Sequence, residues 1–110
     1  MEDSESIIKT FEDSITKWPD NSGLKTSYAS TITRMEIENK YDHGIELLQG
    51  AIEANPDSTG MWYTLGLLYE KKGELDKAID AVKKVVDKYP NRKSYKIALD
   101  RLKKALEEQS

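Results

Sequence analysis

A few side chains have the types to do chemistry, and their spacing decides whether they can. His43 is the only histidine, set between Asp42 and Gly44. Acid–base or metal chemistry needs several convergent groups, so a lone imidazole at a helix start reads as an exposed turn residue. Glu36, Glu38, Asp42 and Glu46 gather carboxylates in one stretch, without the alternating spacing of a calcium loop. Serine and threonine are frequent, yet no His–Asp pair is placed to activate one. The six glycines form neither a G-x-G-x-x-G nor a P-loop pattern, so no phosphate cradle is expected. Cysteine is absent, which removes disulfides, zinc ribbons, iron–sulfur clusters and thiol nucleophiles together. No catalytic residue, cofactor ligand or metal ligand is therefore assigned, and no enzymatic activity is expected.

The 110 residues suffice for one domain. The formal charge of −3 hides an asymmetry. Residues 1–22 carry two bases against six acids, whereas residues 83–104 carry nine bases against Asp87 and Asp100. The start, Met1-Glu2-Asp3-Ser4-Glu5, lacks the basic opening and apolar core of a signal peptide. No apolar run approaches the roughly 20 residues of a membrane span. A cytoplasmic location and no membrane partner are expected.

The apolar residues recur at helical spacing nearly throughout. Ile7, Ile8, Phe11, Ile15 and Trp18 form one stripe, broken by Pro19-Asp20-Asn21-Ser22-Gly23. Leu24 to about Ile37 reads as a second helix, and Ile45, Leu48, Ala51 and Ile52 mark a third. Asn55-Pro56-Asp57-Ser58 stops that helix, with Ser58 placed to cap a fourth that carries Trp62, Leu65, Leu68 and Tyr69. After Lys72-Gly73, Ala78, Ile79, Val82, Val85 and Val86 define a fifth helix, ended by Tyr89-Pro90-Asn91. Tyr95, Ala98, Leu99, Leu102 and Leu106 define a sixth. Loops this short make successive helices antiparallel neighbours.

Pro56 and Pro90 stand 34 residues apart. The same shift pairs Tyr28 with Trp62, Met35 with Tyr69, Gly44 with Ala78, Ile45 with Ile79 and Leu48 with Val82. The pattern Trp62-x2-Leu65-Gly66-x2-Tyr69-x3-Gly73, then Ala78 and Pro90, resembles the tetratricopeptide repeat. That resemblance implies an all-α, right-handed stack of antiparallel helical hairpins. Residues 25–58 and 59–92 would be repeats, 5–21 an N-terminal half-repeat and 93–108 a C-terminal capping helix. In this alignment Ile32 stands in for the small residue opposite Gly44, and Thr31 for the expected leucine. Pro19 lies 37 residues before Pro56, so three extra residues are placed around Ser22-Gly23-Leu24. One narrow apolar stripe on each end helix suggests two solvated caps and a short, complete stack. The rival is a first helix supplied ahead of Glu5 or by a partner.

The resemblance further implies a non-enzymatic scaffold that holds a peptide segment of another protein, an acidic segment being one option, on a concave surface lined by first helices. By repeat position that surface receives Ala29, Thr33 and Glu36, then Tyr63, Leu67 and Glu70, then Ile97, Arg101 and Lys104. Tyr63 and Leu67 would be apolar anchors, or fillers of the seam between first helices. Arg101 and Lys104 would meet a carboxylate. The chaperone-binding members' carboxylate clamp is not supported, since its positions hold Ala29, Thr33, Thr64, Ser94 and Ala98. Two alternatives are weak self-association through oppositely charged ends, and polyanion binding through residues 83–104. Nucleic acid is not expected, because aromatic interleaving is limited to Tyr89 and Tyr95.

Overall fold

Each proline stands just past one helix and just before the next. A computed structural model describes residues 3–109 and places α1 at Ser4–Lys17, α3 at Tyr41–Ala54 and α5 at Leu75–Lys88. Pro19, Pro56 and Pro90 follow these three helices, since proline cannot continue the hydrogen-bond ladder. Three residues after each proline a new helix starts: α2 at Ser22–Arg34, α4 at Thr59–Lys72 and α6 at Lys93–Gln109. Asp3 and Asn21 cap α1 and α2 by accepting from the N–H groups of Ser6 and Leu24, at 2.9 and 3.0 Å. Ser58 holds the corresponding place before α4, but its side chain makes no capping bond there.

The second helix ends at Arg34, short of the expected Ile37, because Glu36 adopts a left-handed conformation with φ 55°. Two closing bonds seal this end: Glu36 N–H to Thr33 O at 3.3 Å, and Ile37 N–H to Ile32 O at 3.0 Å. The same pair seals α4, where Gly73 at φ 91° donates to Glu70 O and Glu74 donates to Tyr69 O. Glu36 thus corresponds to Gly73, which is a spacing of 37 and not 34.

This corrects the register of the first repeat. Counted from the prolines, Tyr28 matches Leu65, Ala29 matches Gly66, Thr31 matches Leu68 and Ile32 matches Tyr69. The burial pattern of α2 follows that of α4 in this register, with all eight of these residues buried. The three extra residues are not at Ser22-Gly23-Leu24, which open α2. They form a 3₁₀ turn, Glu38–Lys40, between α2 and α3. In α3 and α5 the spacing of 34 holds, so the two helices of one hairpin obey different spacings. Ile32 nevertheless packs on Gly44: a Cβ there would overlap Ile32 Cδ1 and lie 3.0 Å from Leu68 Cδ2.

Tyr28, Ile32, Leu48, Leu68, Val82, Val85 and Leu102 are the large side chains wholly withdrawn from solvent. The contact of α4 with α5 is the most extensive, and α2 with α3 is next. α6 closes one end by burying Ala98, Leu99 and Leu102. At the other end only Ile8 of α1 is fully buried, while Ile7, Phe11 and Ile15 are half-buried. Trp18, expected in that stripe, is 56% exposed, because it is the residue at which the backbone leaves the helix.

Polar contacts supplement this thin apolar attachment. Glu12 of α1 accepts from the Tyr28 hydroxyl at 3.1 Å and from Lys40 Nζ at 3.0 Å. Burial opposes the Glu12 carboxylate, but the bonds from Lys40 and Tyr28 outweigh it and hold its pKa below the usual glutamate value. A lowered folded pKa adds stability above the unfolded pKa, and that stability is lost as pH falls through the folded one. Glu12→Gln is therefore expected to cost about 0.5–1 kcal/mol at pH 7, discounted for partial exposure. The difference from wild type should shrink as pH drops below about 4 in urea titrations. A cost independent of pH would mean that the Glu12 charge is not what stabilises the fold.

Candidate functional site

α2, α4 and α6 are the first helices, and they share one face of the stack. Between α2 and α4 this face sinks into a depression of about 240 Å³. Ser30, Thr33 and Arg34 line it from α2, and Thr64, Leu67, Glu70 and Lys71 from α4. Half-buried Leu67 supplies its apolar wall, and hydroxyls of Ser30, Thr33 and Thr64 surround it. Thr33 and Thr64 donate back to the carbonyls of Ala29 and Gly60 at 2.6 and 2.9 Å.

Of the nine residues expected on this surface, Thr33, Leu67 and Glu70 meet in the depression. Ala29 does not reach it: it is 0% exposed, because it occupies the place of Gly66 and faces the partner helix. Glu36 lies past the end of α2 and pairs with Lys71 at 2.6 Å. That bond holds the Glu36 carboxyl below its ordinary value and raises the Lys71 ammonium above its own. Tyr63 is half-buried against Tyr95 of α6, with ring centroids 5.1 Å apart, and so spans the seam between first helices. Ile97 is 65% exposed beyond that seam. Arg101 does not project freely toward a ligand. Its guanidinium grips Glu70 through Nε at 3.2 Å and Nη2 at 2.7 Å, a two-pronged pair that ties α6 to α4. Lys104 is exposed on the same helix.

The register error explains what sequence reasoning missed. Shifting α2 by 37 places Ser30 opposite Leu67 and Arg34 opposite Lys71, and both line the depression. The signal was present in the distance from Pro19 to Pro56. The face carries Arg34, Lys71, Arg101 and Lys104 against Glu36 and Glu70, so it is net basic. The corrected register puts Thr26 and Ser30 at the α2 positions of the carboxylate clamp, which still lack the required lysine and asparagine.

A larger cleft of about 590 Å³ opens elsewhere, between α3, α4 and α5, around Trp62 and Tyr69. Its aromatic faces are already covered: Lys84 Nζ lies 4.9 Å from the Trp62 ring centre and Lys77 Nζ 5.8 Å from that of Tyr69. Their polar tips are also satisfied, the indole by Pro56 O and the phenol by Gln49. The chain's own lysines thus stand over both aromatic rings of this cleft.

The other candidates disperse. His43 is exposed and stands edge-on to the Tyr28 ring at 5.5 Å. Glu36 and Asp42 pair with Lys71 and Lys72 of α4. Among the described residues no group of His, Asp or Glu could hold a metal, and no helix is long and apolar enough to cross a membrane. In the basic segment Lys88 donates to Asp57 O, Arg92 lies over Tyr89 and Tyr95, and Arg101 grips Glu70. Tyr89 is 41% exposed at the C-cap of α5, where the backbone leaves the helix.

Comparison with known proteins agrees with this architecture. The profile of the tetratricopeptide repeat matches residues 37–102. The tetratricopeptide repeat domain-containing protein PYG7, chloroplastic, of Arabidopsis thaliana is 33% identical over 96 residues, which are 86% of this chain and 32% of that protein. The human interferon-induced protein with tetratricopeptide repeats 2 is 32% identical over 80% of this chain and 19% of its own length. The solved structure of MamA MSR-1 superposes with a TM-score of 0.76 at 28% identity, over 90% of this chain and 55% of that one. The chain thus spans about a third or less of these curated relatives.

Proposed function

Because this chain belongs to the tetratricopeptide repeat family, a family of interaction modules, we propose that its first-helix face binds a peptide segment of another protein. The observation that carries this reading is the depression between α2 and α4, apolar at Leu67 and rimmed by a surplus of bases. Glu36 and Glu70 are engaged with Lys71 and Arg101, which leaves the charge of Arg34 and Lys104 unbalanced on this face. The matching segment places one apolar side chain on Leu67 and carboxylates toward Arg34 and Lys104. The coarse role is a non-catalytic scaffold, and the face gives it a preference for acidic segments.

A titration with short Leu-containing peptides rich in Asp and Glu, followed by amide NMR, tests this. Shifts are expected at Ser30, Leu67 and Ile97, weakening with salt as screening requires. Tyr63→Ala with Leu67→Ala should weaken binding about tenfold while helicity is retained. Glu70→Gln should tighten it by releasing Arg101. Equal affinity of the double variant and wild type, or shifts confined to Trp62 and Tyr69, would reject the site.

A further inference from the structure

α1, α3 and α5 are second helices, and each presents the same four positions 12, 9, 8 and 5 residues before its proline. In α5 these are Ala78, Ala81, Val82 and Val85, all at most 3% exposed. α4 lies on them, with Gly66 against Val82, Ala81 and the Ala78 carbonyl. In α3 they are Gly44, Leu47, Leu48 and Ala51, with Ile32 of α2 pressed onto Gly44. In α1 they are Ile7, Thr10, Phe11 and Ser14; α2 reaches them from one side only, through Leu24 and through Tyr28, whose ring stands edge-on to Phe11 at 5.9 Å, and among the described residues no first helix precedes α1. Together with Leu24 they line a depression of about 300 Å³. Leu24 is only half-buried, whereas its counterpart Met61 in α4 is buried.

We propose that this depression seats an amphipathic helix supplied by a partner protein, laid on α1 as α4 is laid on α5. The surface continues an interface that the chain already makes twice. Its chemistry specifies the occupant. Ile7 and Phe11 are bulkier than Ala78 and Val82, which already leave no room for a Cβ at Gly66, so the crossing point on the incoming helix must be glycine. The α2–α3 pair makes the same trade in reverse, with Ile32 against Gly44. Asp13 stands where α5 carries Lys84 over Trp62, so the residue four before the small one is basic. Asp13 is now held only by an exposed Lys9 at 3.2 Å, a pair that exchanges at little cost. A second copy's α6 does not fit. It carries Lys96, Asp100 and Lys103 where α4 has Trp62, Gly66 and Tyr69, and would press charge onto Ile7 and Phe11.

The probe is a peptide with the sequence of residues 59–72 carrying Trp62→Lys, titrated onto the full chain. Amide shifts are expected at Ile7, Thr10, Phe11, Ser14 and Leu24, with a gain of helicity in a peptide too short to be helical alone. Thr10→Arg with Ser14→Arg fills the seat without touching the core. That pair should weaken binding about tenfold or more with the thermal midpoint unchanged. A peptide also carrying Gly66→Ile should bind at least as weakly. Shifts confined to α3–α5, an unaffected Arg variant, or a Gly66→Ile peptide that binds equally would each overturn the proposal. So would seat resonances that move with the chain's own concentration, because a second copy would then be the occupant.

Discussion

Gly66→Leu is expected to cost this chain about 3 kcal/mol of stability, and Gly66→Ala about 1, although both residues form helix better than glycine. Helix propensity alone favours alanine over glycine by about 1 kcal/mol. Packing opposes it here. A Cβ at Gly66 would sit 2.7 Å from Val82 Cγ2 and 3.4 Å from the Ala78 carbonyl oxygen. Neither neighbour yields easily, because valine is stiff about its first torsion and the other atom is backbone. Val82→Ala removes the clashing methyl, so it should cost less in the Gly66→Ala background than in wild type. A coupling of about 1 kcal/mol in a urea double-mutant cycle is expected, and strict additivity would contradict the contact. Gly44→Ala makes the control. Its Cβ meets only side-chain ends, Ile32 Cδ1 and, at 3.0 Å, Leu68 Cδ2, and no backbone, so its cost is expected to be smaller than that of Gly66→Ala although both neighbours are buried.

Leu68→Ala should cost about 3–5 kcal/mol, and Leu67→Ala about 1 or less, although the two residues are adjacent. Leu68 is 0% exposed and reaches across to within 3.0 Å of the Cβ position of Gly44, joining the second hairpin to the first. Its truncation leaves a cavity between repeats that the helices cannot collapse to fill. Leu67 is half-buried, with one side on the open depression. Its truncation should fall on peptide binding instead. Thermal unfolding and peptide titration of both variants separate the roles. Similar stability losses in the two would mean that Leu67 is a core residue and the depression is closed.

Much of this protein is determined by sequence alone. The three prolines and the helical spacing of apolar residues give six helices, paired as antiparallel hairpins, and the run from Trp62 to Pro90 identifies the repeat. The absence of cysteine and the isolation of His43 are equally legible. The distance from Pro19 to Pro56 shows that three residues are extra, but only the tertiary structure placed them after α2 and so set its axial register. A slide of three residues is close to one turn of about 3.6, so it returns nearly the same apolar face and periodicity cannot detect it. The burial of Ala29 and the left-handed Glu36 break that degeneracy. They move Ser30 and Arg34 into the candidate site and take Ala29 out of it. Spacing likewise could not show that Arg101 is held by Glu70, or that Tyr63 leans on Tyr95, because side chains on neighbouring helices choose partners across a gap. Nor could it show the uncovered seat on α1. An apolar stripe states which side of a helix must be buried, but how much of it a neighbour covers is fixed only when the helices are stacked.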